Sequence, residues 1–233
     1  MQKLPVRFAN DGKVEVNSMK NMKKIIVALV CVMMLGVLGG CGAKFDAQAY
    51  LTALLDASYK NDSAKFVEMK IGTAEEATEL YEEGIDTEMN VFLAQYDISD
   101  ELEAEFRQLF KDMFASVKYN VTGAEKQDDG SYVVTIAYEQ MQLFGPTMTE
   151  YMAEVEKIAE ELMASGEVPS EEEQVELIVS ALKDTMRANL EKVEYAEEAT
   201  TTVKIELIDN VYTPNKSDVM KLEELLFDTN AVK

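Results

Sequence analysis

The chain has no histidine, and its 233 residues include only two cysteines. Without histidine it cannot form a Ser-His-Asp or Cys-His catalytic arrangement, or a zinc site with imidazole ligands. Catalysis by paired carboxylates stays open because 44 residues are acidic, but no pair stands in a recognisable catalytic signature. We therefore predict a protein that is not an enzyme and holds no metal or cofactor. A carboxylate-dependent hydrolase is the remaining catalytic alternative.

Positive charge is scarce as well, with 22 basic residues and a net charge of −22. Residues 1–40 hold six basic and two acidic residues, which leaves 16 basic and 42 acidic residues, a net charge of −26, for the rest of the chain. Such a surface repels phosphate, so we exclude nucleic acid as a partner. It favours cations, cationic peptides or basic proteins, or it serves solubility alone. Anionic lipid headgroups should be repelled as well, so we expect such a domain to stand off from a membrane surface.

The N-terminal region contains a run of 16 residues without charge, from Ile25 to Gly40. Lys20, Lys23 and Lys24 come before it, which is the layout of a secretory signal. A transmembrane helix is the alternative, but a span needs about 20 apolar residues. We predict that residues 1–40 are an N-terminal extension and a signal peptide. The sequence leaves open whether translation starts at Met1, Met19 or Met22.

The run ends in Leu38-Gly39-Gly40-Cys41, which resembles the lipobox of bacterial lipoproteins. The resemblance implies that a signal peptidase recognises Leu38, Gly39 and Gly40 and cuts before Cys41. It also implies a diacylglyceryl group on the Cys41 thiol, which anchors the protein to the outer face of the cell membrane. Two acyl chains hold a protein stably at a membrane, whereas one does so only marginally. The other cysteine, Cys31, lies in the discarded segment, so the mature chain has no partner for an internal disulfide.

Beyond a lipidated tether at 41–44, residues 45–233 read as a single domain. Asp46, Thr73 and Ser99 stand before amphipathic segments, as residues that cap helix N-termini do. Gly84 is expected to interrupt the second of these helices, which then resumes over Val91–Tyr96. The stripe on the helix after Ser99 contains four phenylalanine and methionine residues and predicts either a ligand box or, more simply, packing against a sheet.

Strands and a helical pair follow. Residues 118–122 and 132–138 favour β-structure and flank the turn signal Asp128-Asp129-Gly130. Two long helices opening near Pro146 and Ser170 predict an antiparallel helical hairpin, inserted at about 146–195. A second β-hairpin turns at Asp209-Asn210, and a last helix is predicted to start at Ser217 and Asp218. Helices, hairpin, helical pair and second hairpin together predict an α+β fold with an antiparallel sheet packed on the N-terminal helices.

This order of elements resembles the cystatin-like and NTF2-like α+β domains, in which a curved antiparallel sheet cradles a helix. Phe45–Lys60, the Asp-Asp-Gly hairpin and the turn from Asp209 to Pro214 resemble Gram-positive surface lipoproteins of unknown function. The resemblance covers most of residues 45–228, and the helical pair departs from the minimal fold. It supplies no catalytic residue.

Three functions remain from the sequence. The first is a lipid-anchored extracytoplasmic binding or interaction module with an unidentified protein or small-ligand partner. The second is a carrier of a small apolar ligand, or a binding lipoprotein that serves a transporter, whose cavity would be lined by tyrosine and methionine. The third is the carboxylate-dependent hydrolase. A deep cavity would favour the carrier, and buried carboxylates that converge in a cleft would favour the enzyme.

The lipid anchor gives the first testable prediction. Replacing Cys41→Ser removes the thiol that receives the lipid, so the protein should be released into the medium or remain as an uncut precursor. Fractionation of cells that express the wild type and the variant measures this. Unchanged membrane retention of the variant would contradict the anchor.

Overall fold

The computed structural model describes residues 45–94, 96–166 and 169–229, and the backbone of 6–8, 14–16 and 37–38. These residues form an α+β structure, which confirms the predicted fold class. The helices are α1 (Ala47–Lys60), α2 (Ala64–Glu68), α3 (Ala74–Leu93), α4 (Asp100–Ala115), α5 (Phe144–Ser165), α6 (Glu171–Glu191) and α7 (Lys216–Leu226). The strands are β1 (Val6–Phe8), β2 (Val14–Val16), β3 (Val37–Leu38), β4 (Lys118–Lys126), β5 (Tyr132–Glu139), β6 (Met141–Gln142), β7 (Glu194–Tyr195), β8 (Ala199–Ile208) and β9 (Val211–Pro214).

The main sheet is antiparallel, in the order β3-β9-β8-β5-β4. Two predicted hairpins build it, and both are confirmed. Gly130 has a φ of 84° in the β4–β5 turn, while Asp209 and Asn210 have φ values of 50° and 65° between β8 and β9. Two consecutive positive φ values fit a type I′ turn, whose twist suits a two-residue hairpin. Strands β1 and β2 form a separate pair, as do β6 and β7.

One face of the main sheet is buried by helices. Val134, Ile136, Val203 and Ile205 point to this face and are fully buried. Helix α1 packs across β4 and β5, and α7 packs across β8 and β5. Residues of the opposite face, such as Thr202, are exposed. This alternation of buried and exposed side chains is what a sheet with one solvated face requires.

A second helical layer covers α1. Helices α3 and α4 pack on α1, and α6 packs on α4. The antiparallel arrangement of α5 and α6 is confirmed, since Glu150 near the start of α5 contacts Asn189 and Lys192 at the end of α6. The hairpin therefore lies on the helical layer, which the sequence left undecided. None of the described helices combines the length and the apolar character needed to cross a membrane.

The helical insertion has a defined base. Strands β6 and β7 flank it and pair with each other, Met141 with Tyr195 and Gln142 with Glu194. The inserted helices thus run from residue 144 to residue 191. They begin two residues before the predicted start at about 146 and end before the predicted limit at 195. The short ladder brings both ends of the insertion together beside the main sheet.

Three predicted details of the helices are wrong. Helix α3 continues through Gly84, which is buried, and it ends at Leu93 instead of resuming over Val91–Tyr96. A single glycine costs about 1 kcal/mol in a helix relative to alanine, and burial of the apolar face that flanks it offsets this cost. Helix α5 begins two residues before Pro146. Helix α7 is capped by Asn215, whose side chain accepts from the backbone N–H of Asp218 at 3.1 Å.

The predicted caps at Asp46, Thr73, Ser99 and Ser170 are confirmed. Each of these side chains accepts a hydrogen bond from a backbone N–H of the first helical turn. Thr73 and Ser170 form complete capping boxes, in which the side chain of the glutamate three residues later accepts a hydrogen bond from the backbone N–H of the cap residue. These contacts fix where four of the helices begin.

The start of α5 is capped from a distance by Asp228, which follows α7. Its Oδ1 accepts from the N–H groups of Leu143 and Phe144, at 3.0 and 2.7 Å, and its Oδ2 accepts from Gly145 at 2.9 Å. The backbone N–H of Asp228 in turn donates to the carbonyl of Met141 at 3.1 Å. Asp228 is buried. One carboxylate thus joins the end of the domain to the base of the helical insertion.

Removing this carboxylate should destabilise the domain. Asp228→Ala leaves three backbone N–H groups, two of them buried, without an acceptor and should lower the free energy of unfolding by about 2–4 kcal/mol. Asp228→Asn keeps one acceptor oxygen and should lose about half as much. Urea unfolding followed by circular dichroism measures both. Glu224→Ala, on the exposed side of α7, is the control, and a loss for Asp228→Ala no larger than for this control would contradict the role of Asp228.

Candidate functional site

The predicted lipidation motif lies at the border of the described chain. Leu38 falls in β3, where its backbone pairs with Val211 at the edge of the main sheet. Gly39, Gly40 and Cys41 lie outside the described residues. The described domain begins at Phe45, four residues after Cys41. The structure thus provides the attachment point of the tether but not the geometry of the motif itself.

The aromatic stripe of α4 belongs to the core. Phe106, Phe110 and Phe114 are buried, and their rings contact Phe92 of α3 and Tyr59 of α1. The stripe therefore packs against helices, and the predicted packing against a sheet is wrong. These rings fill the space between the two helical layers. Of the two alternatives for the stripe, a ligand box or packing in the core, these contacts favour packing in the core.

Two buried carboxylates lie near one buried phenol. Glu88 of α3 and Glu223 of α7 are 1% and 2% exposed, and Tyr59 of α1 is fully buried. Burial raises the pKa of Tyr59 well above its ordinary value, and the negative charges of Glu223 and Glu88 raise it further. All three groups are enclosed by helices, out of contact with solvent. A dissolved substrate could reach them only if these helices moved apart, so the cluster does not form the open cleft that the hydrolase alternative needs.

Two adjoining clefts on the helical layer are lined by acidic residues, with volumes of about 360 and 440 Å³. Both include Asp97 and Ile98, so they form one continuous depression. We call it the acidic groove. Its lining consists of Asp86, Met89, Asn90, Leu93, Ala94, Tyr96, Asp97, Ile98, Ser99, Asp100, Glu103, Glu172, Glu173 and Glu176.

Four of the chain's basic residues lie along the helix seams beside the groove. Arg107 and Lys111 of α4 bridge to Glu82 of α3, and Arg107 also pairs with Asp86. Farther along, Lys183 of α6 pairs with Glu105 at 2.6 Å, and Arg187 pairs with Asp112. This pattern ends at Asp86, which both lines the groove and pairs with Arg107. Seven lining residues are carboxylates, and no described residue that lines the groove is lysine or arginine.

Glu176 closes the seam between α4 and α6 without a cation. Its two oxygens accept from the hydroxyl of Ser99 and, at 3.2 Å, from the backbone N–H of Ser99. Ser99 in turn accepts from Leu102 as the cap of α4. The contact joins the starts of two parallel helices, which brings the first turns of both to the groove.

The helix N-termini explain how so many carboxylates can sit together. Asp100 and Glu103 lie in the first turn of α4, and Glu172 and Glu173 lie in the first turn of α6. The partial positive charge of a helix N-terminus favours negative charge at these positions. Hydrogen bonds from the backbone and side chain of Ser170 also lower the pKa of Glu173. Favourable contacts with helix N-termini thus offset part of the repulsion among these carboxylates.

Part of this negative charge is not balanced by ion pairs. Within the described residues, Asp97, Asp100, Glu103 and Glu172 have no lysine or arginine within salt-bridge distance. The floor beneath them is apolar, formed by Met89 and Leu93 and by the partly buried Tyr96 and Ile98. No cluster of three or more potential metal ligands occurs among the described residues. The groove thus suits a ligand that carries positive charge and an apolar part.

A third cleft, of about 310 Å³, lies beside Lys60 at the C-terminal end of α1. Lys60 and Lys118 line it together with Glu139 and Glu198. Lys118 lies over the ring of Tyr195 at 3.7 Å and pairs with Glu139 at 3.1 Å. Because its charges are of both signs, and Lys60, Lys118 and Glu139 already form ion pairs, it is a weaker candidate than the acidic groove.

No family model matches the sequence, and no significant match occurs among curated proteins. Among solved structures, the crystal structure of a candidate lipoprotein, ycdA of Bacillus subtilis, is similar, with a TM-score of 0.52 and 15% sequence identity. The match covers 76% of this chain and 55% of ycdA, so this chain spans little more than half the length of that protein. At this identity the likeness shows a shared fold alone.

The buried tyrosines predict a loss of stability in alkali. Burial raises the pKa of Tyr50, Tyr59, Tyr119 and Tyr151 above 10. An unfolded tyrosine ionises near pH 10, so above this pH the unfolded state releases protons that the folded state retains. The stabilisation is therefore complete below pH 10 and is lost as the pH rises, by about 1.4 kcal/mol per pH unit for each such group.

Tyr151→Phe isolates one of these groups. The variant removes one titrating phenol and leaves the lysines unchanged, so its free energy of unfolding should fall less steeply above pH 10 than that of the wild type. Urea unfolding at pH 8, 9.5 and 11 measures both slopes. Parallel loss in the two proteins would contradict the buried, neutral state of Tyr151.

Proposed function

We propose that this chain is a lipid-anchored extracytoplasmic binding module that holds cationic, partly apolar ligands in the acidic groove. The observation that carries the proposal is the juxtaposition of seven carboxylates and an apolar floor in a groove without lysine or arginine among its described lining residues. Exposed segments of proteins rich in lysine and leucine have this chemistry. A basic peptide segment is therefore the ligand class that we assign.

The anchor rests on the N-terminal motif, with a diacylglyceryl group on Cys41 and cleavage after Gly40. Two features support it: the basic and apolar residues that precede Cys41, and a fold shared with a candidate lipoprotein of Bacillus subtilis. We extend the proposal to the outer face of the membrane of a Gram-positive cell. We also propose that the domain belongs with the cystatin-like and NTF2-like group, and the packing of α1 against β4 and β5 of an antiparallel sheet supports this.

The module is proposed to act by binding and not by catalysis. The chain contains no histidine, and the carboxylates Glu88 and Glu223 are enclosed in the core. The apolar carrier is disfavoured by the same core, since Tyr50, Tyr59 and Phe110 are fully buried against neighbouring side chains. A ligand between the sheet and the helices would have to displace them.

The groove can be tested with a labelled peptide of alternating lysine and leucine. A triple variant removes three carboxylates that have no ion-pair partner in the described chain, with the substitutions Asp97→Asn, Asp100→Asn and Glu172→Gln. Each should contribute about 0.5–1 kcal/mol at low ionic strength, so the affinity should fall about tenfold or more. Fluorescence anisotropy measures it, and added salt should weaken binding of the wild type because it screens exposed charges.

The matched control removes the same charge elsewhere. Glu125→Gln, Glu197→Gln and Glu224→Gln are exposed and lie on β4, on the β7–β8 connection and on α7. This triple variant should keep the affinity within about twofold, since it changes only the distant field. Equal loss in the two triple variants would mean that net charge alone attracts the peptide, and would contradict a site in the groove.

A further inference from the structure

Two exposed apolar residues mark one end of the main sheet. Leu207 and Ile208, at the end of β8, are 38% and 53% exposed. The turn Asp209-Asn210 follows them, and the β4–β5 turn lies at the same end because β8 pairs antiparallel with β5. The side chain of Leu207 lies over Gly130 in that turn, 3.4 Å from where a Cβ would stand. We call this end, with Phe45, Gly130, Leu207, Ile208 and Asp209, the anchor pole.

The tether leaves the domain at the anchor pole. The Phe45 ring stacks on Tyr212 with 3.8 Å between centroids and 7° between planes. It also contacts Tyr132 edge-on at 5.5 Å and Tyr50 at 5.2 Å. Three rings on three different elements therefore fix the position of Phe45.

The length of the tether limits how far this end can lie from the membrane. Three residues, Gly42 to Lys44, separate Cys41 from Phe45, so Phe45 is four steps along the chain from Cys41. An extended chain spans at most about 3.6 Å per step, or about 14 Å in all. Acyl chains on Cys41 would hold that residue at the bilayer surface. The stand-off expected from the charge of the domain is therefore limited to about 14 Å at this end.

We infer that the anchor pole faces the lipid bilayer and that the domain stands on it with β8 directed away from the membrane. The inference rests on the lipid anchor proposed above. Leu207 and Ile208 are the side chains that reach the headgroups. At the same end, the charge of Asp129 is offset by Lys204, 3.2 Å away.

Charge keeps the other end of the domain away from the membrane. Residues 41–233 carry a net charge of −26, so anionic lipids repel the flanks of the domain, which the tether does not hold. Ala199, at the start of β8, is exposed. It lies nine residues from Ile208, about 30 Å along an extended strand. The two ends of one strand should thus differ measurably in their distance from the bilayer.

Energy transfer to the membrane tests this orientation. The full, lipidated protein is purified with either Ile208→Cys or Ala199→Cys, labelled with a donor fluorophore, and placed on vesicles of phosphatidylcholine and phosphatidylglycerol that contain an acceptor-labelled lipid. Cys31 and Cys41 are the chain's own cysteines; the first is expected to be cut away and the second lipidated, so only the new thiol takes the label. Transfer from position 208 should exceed transfer from position 199 several-fold.

A longer tether provides the control. Inserting about twelve glycine and serine residues between Lys44 and Phe45 allows the domain to move freely, so the contrast between the two labels should largely disappear. Equal transfer from both labels in the natural chain, with the protein still bound to vesicles, would overturn the orientation and leave the lipid anchor intact. If the lipidated protein with its natural tether failed to bind the vesicles, both the anchor and the orientation would be overturned.

Discussion

The arrangement of this domain depends on one buried carboxylate, that of Asp228. It accepts from three backbone N–H groups at the start of α5 and ties the segment after α7 to Met141. Since α5 sets the course of the helical insertion, this contact also determines where α6 meets α4. The acidic groove lies at the start of that seam, so its shape depends on a residue that does not line it. A charged acceptor suits the position because the N-terminus of a helix concentrates positive partial charge.

The extreme acidity of the chain is accommodated by where the charges lie. First turns of α3, α4 and α6 hold acidic residues, which the helix dipole favours. The few basic residues of α4 and α6 bridge neighbouring helices. In one such bridge, burial by itself would raise the pKa of Glu82. Hydrogen bonds from Lys111 and Arg107 outweigh this effect, so the net pKa of Glu82 lies below its ordinary value. The lining of the groove contains carboxylates but no described lysine or arginine, and this imbalance makes the proposed binding site negatively charged.

Local features of the fold could be predicted from the sequence because short-range chemistry determines them. The caps at Thr73 and Ser170, the turn at Asp209-Asn210 and the β-rich segments each involve residues within a few positions of one another. Gly84 misled the prediction because its burial in α3 outweighs its poor helix propensity. Asp228 could not have been found, since the N–H groups that it caps lie more than 80 positions earlier in the chain.

The acidic groove was missed for the same reason. It joins Ser99 to Glu176, which are 77 positions apart, and the acidic triplet at 171–173 reads in isolation as an ordinary first turn of a helix. Only the total charge pointed to cationic partners. The lipid motif is the opposite case, because Leu38 to Cys41 is contiguous and can be read from the sequence, although three of its four residues lie outside the described part of the chain.

The most direct test of the proposed lipoprotein is the intact mass of the protein extracted with detergent from the membranes of its host. The proposal predicts a chain that begins at Cys41 and carries the added mass of a diacylglyceryl group on that residue. A chain that retains the residues before Cys41, or that begins at another position with an unmodified thiol, would contradict it.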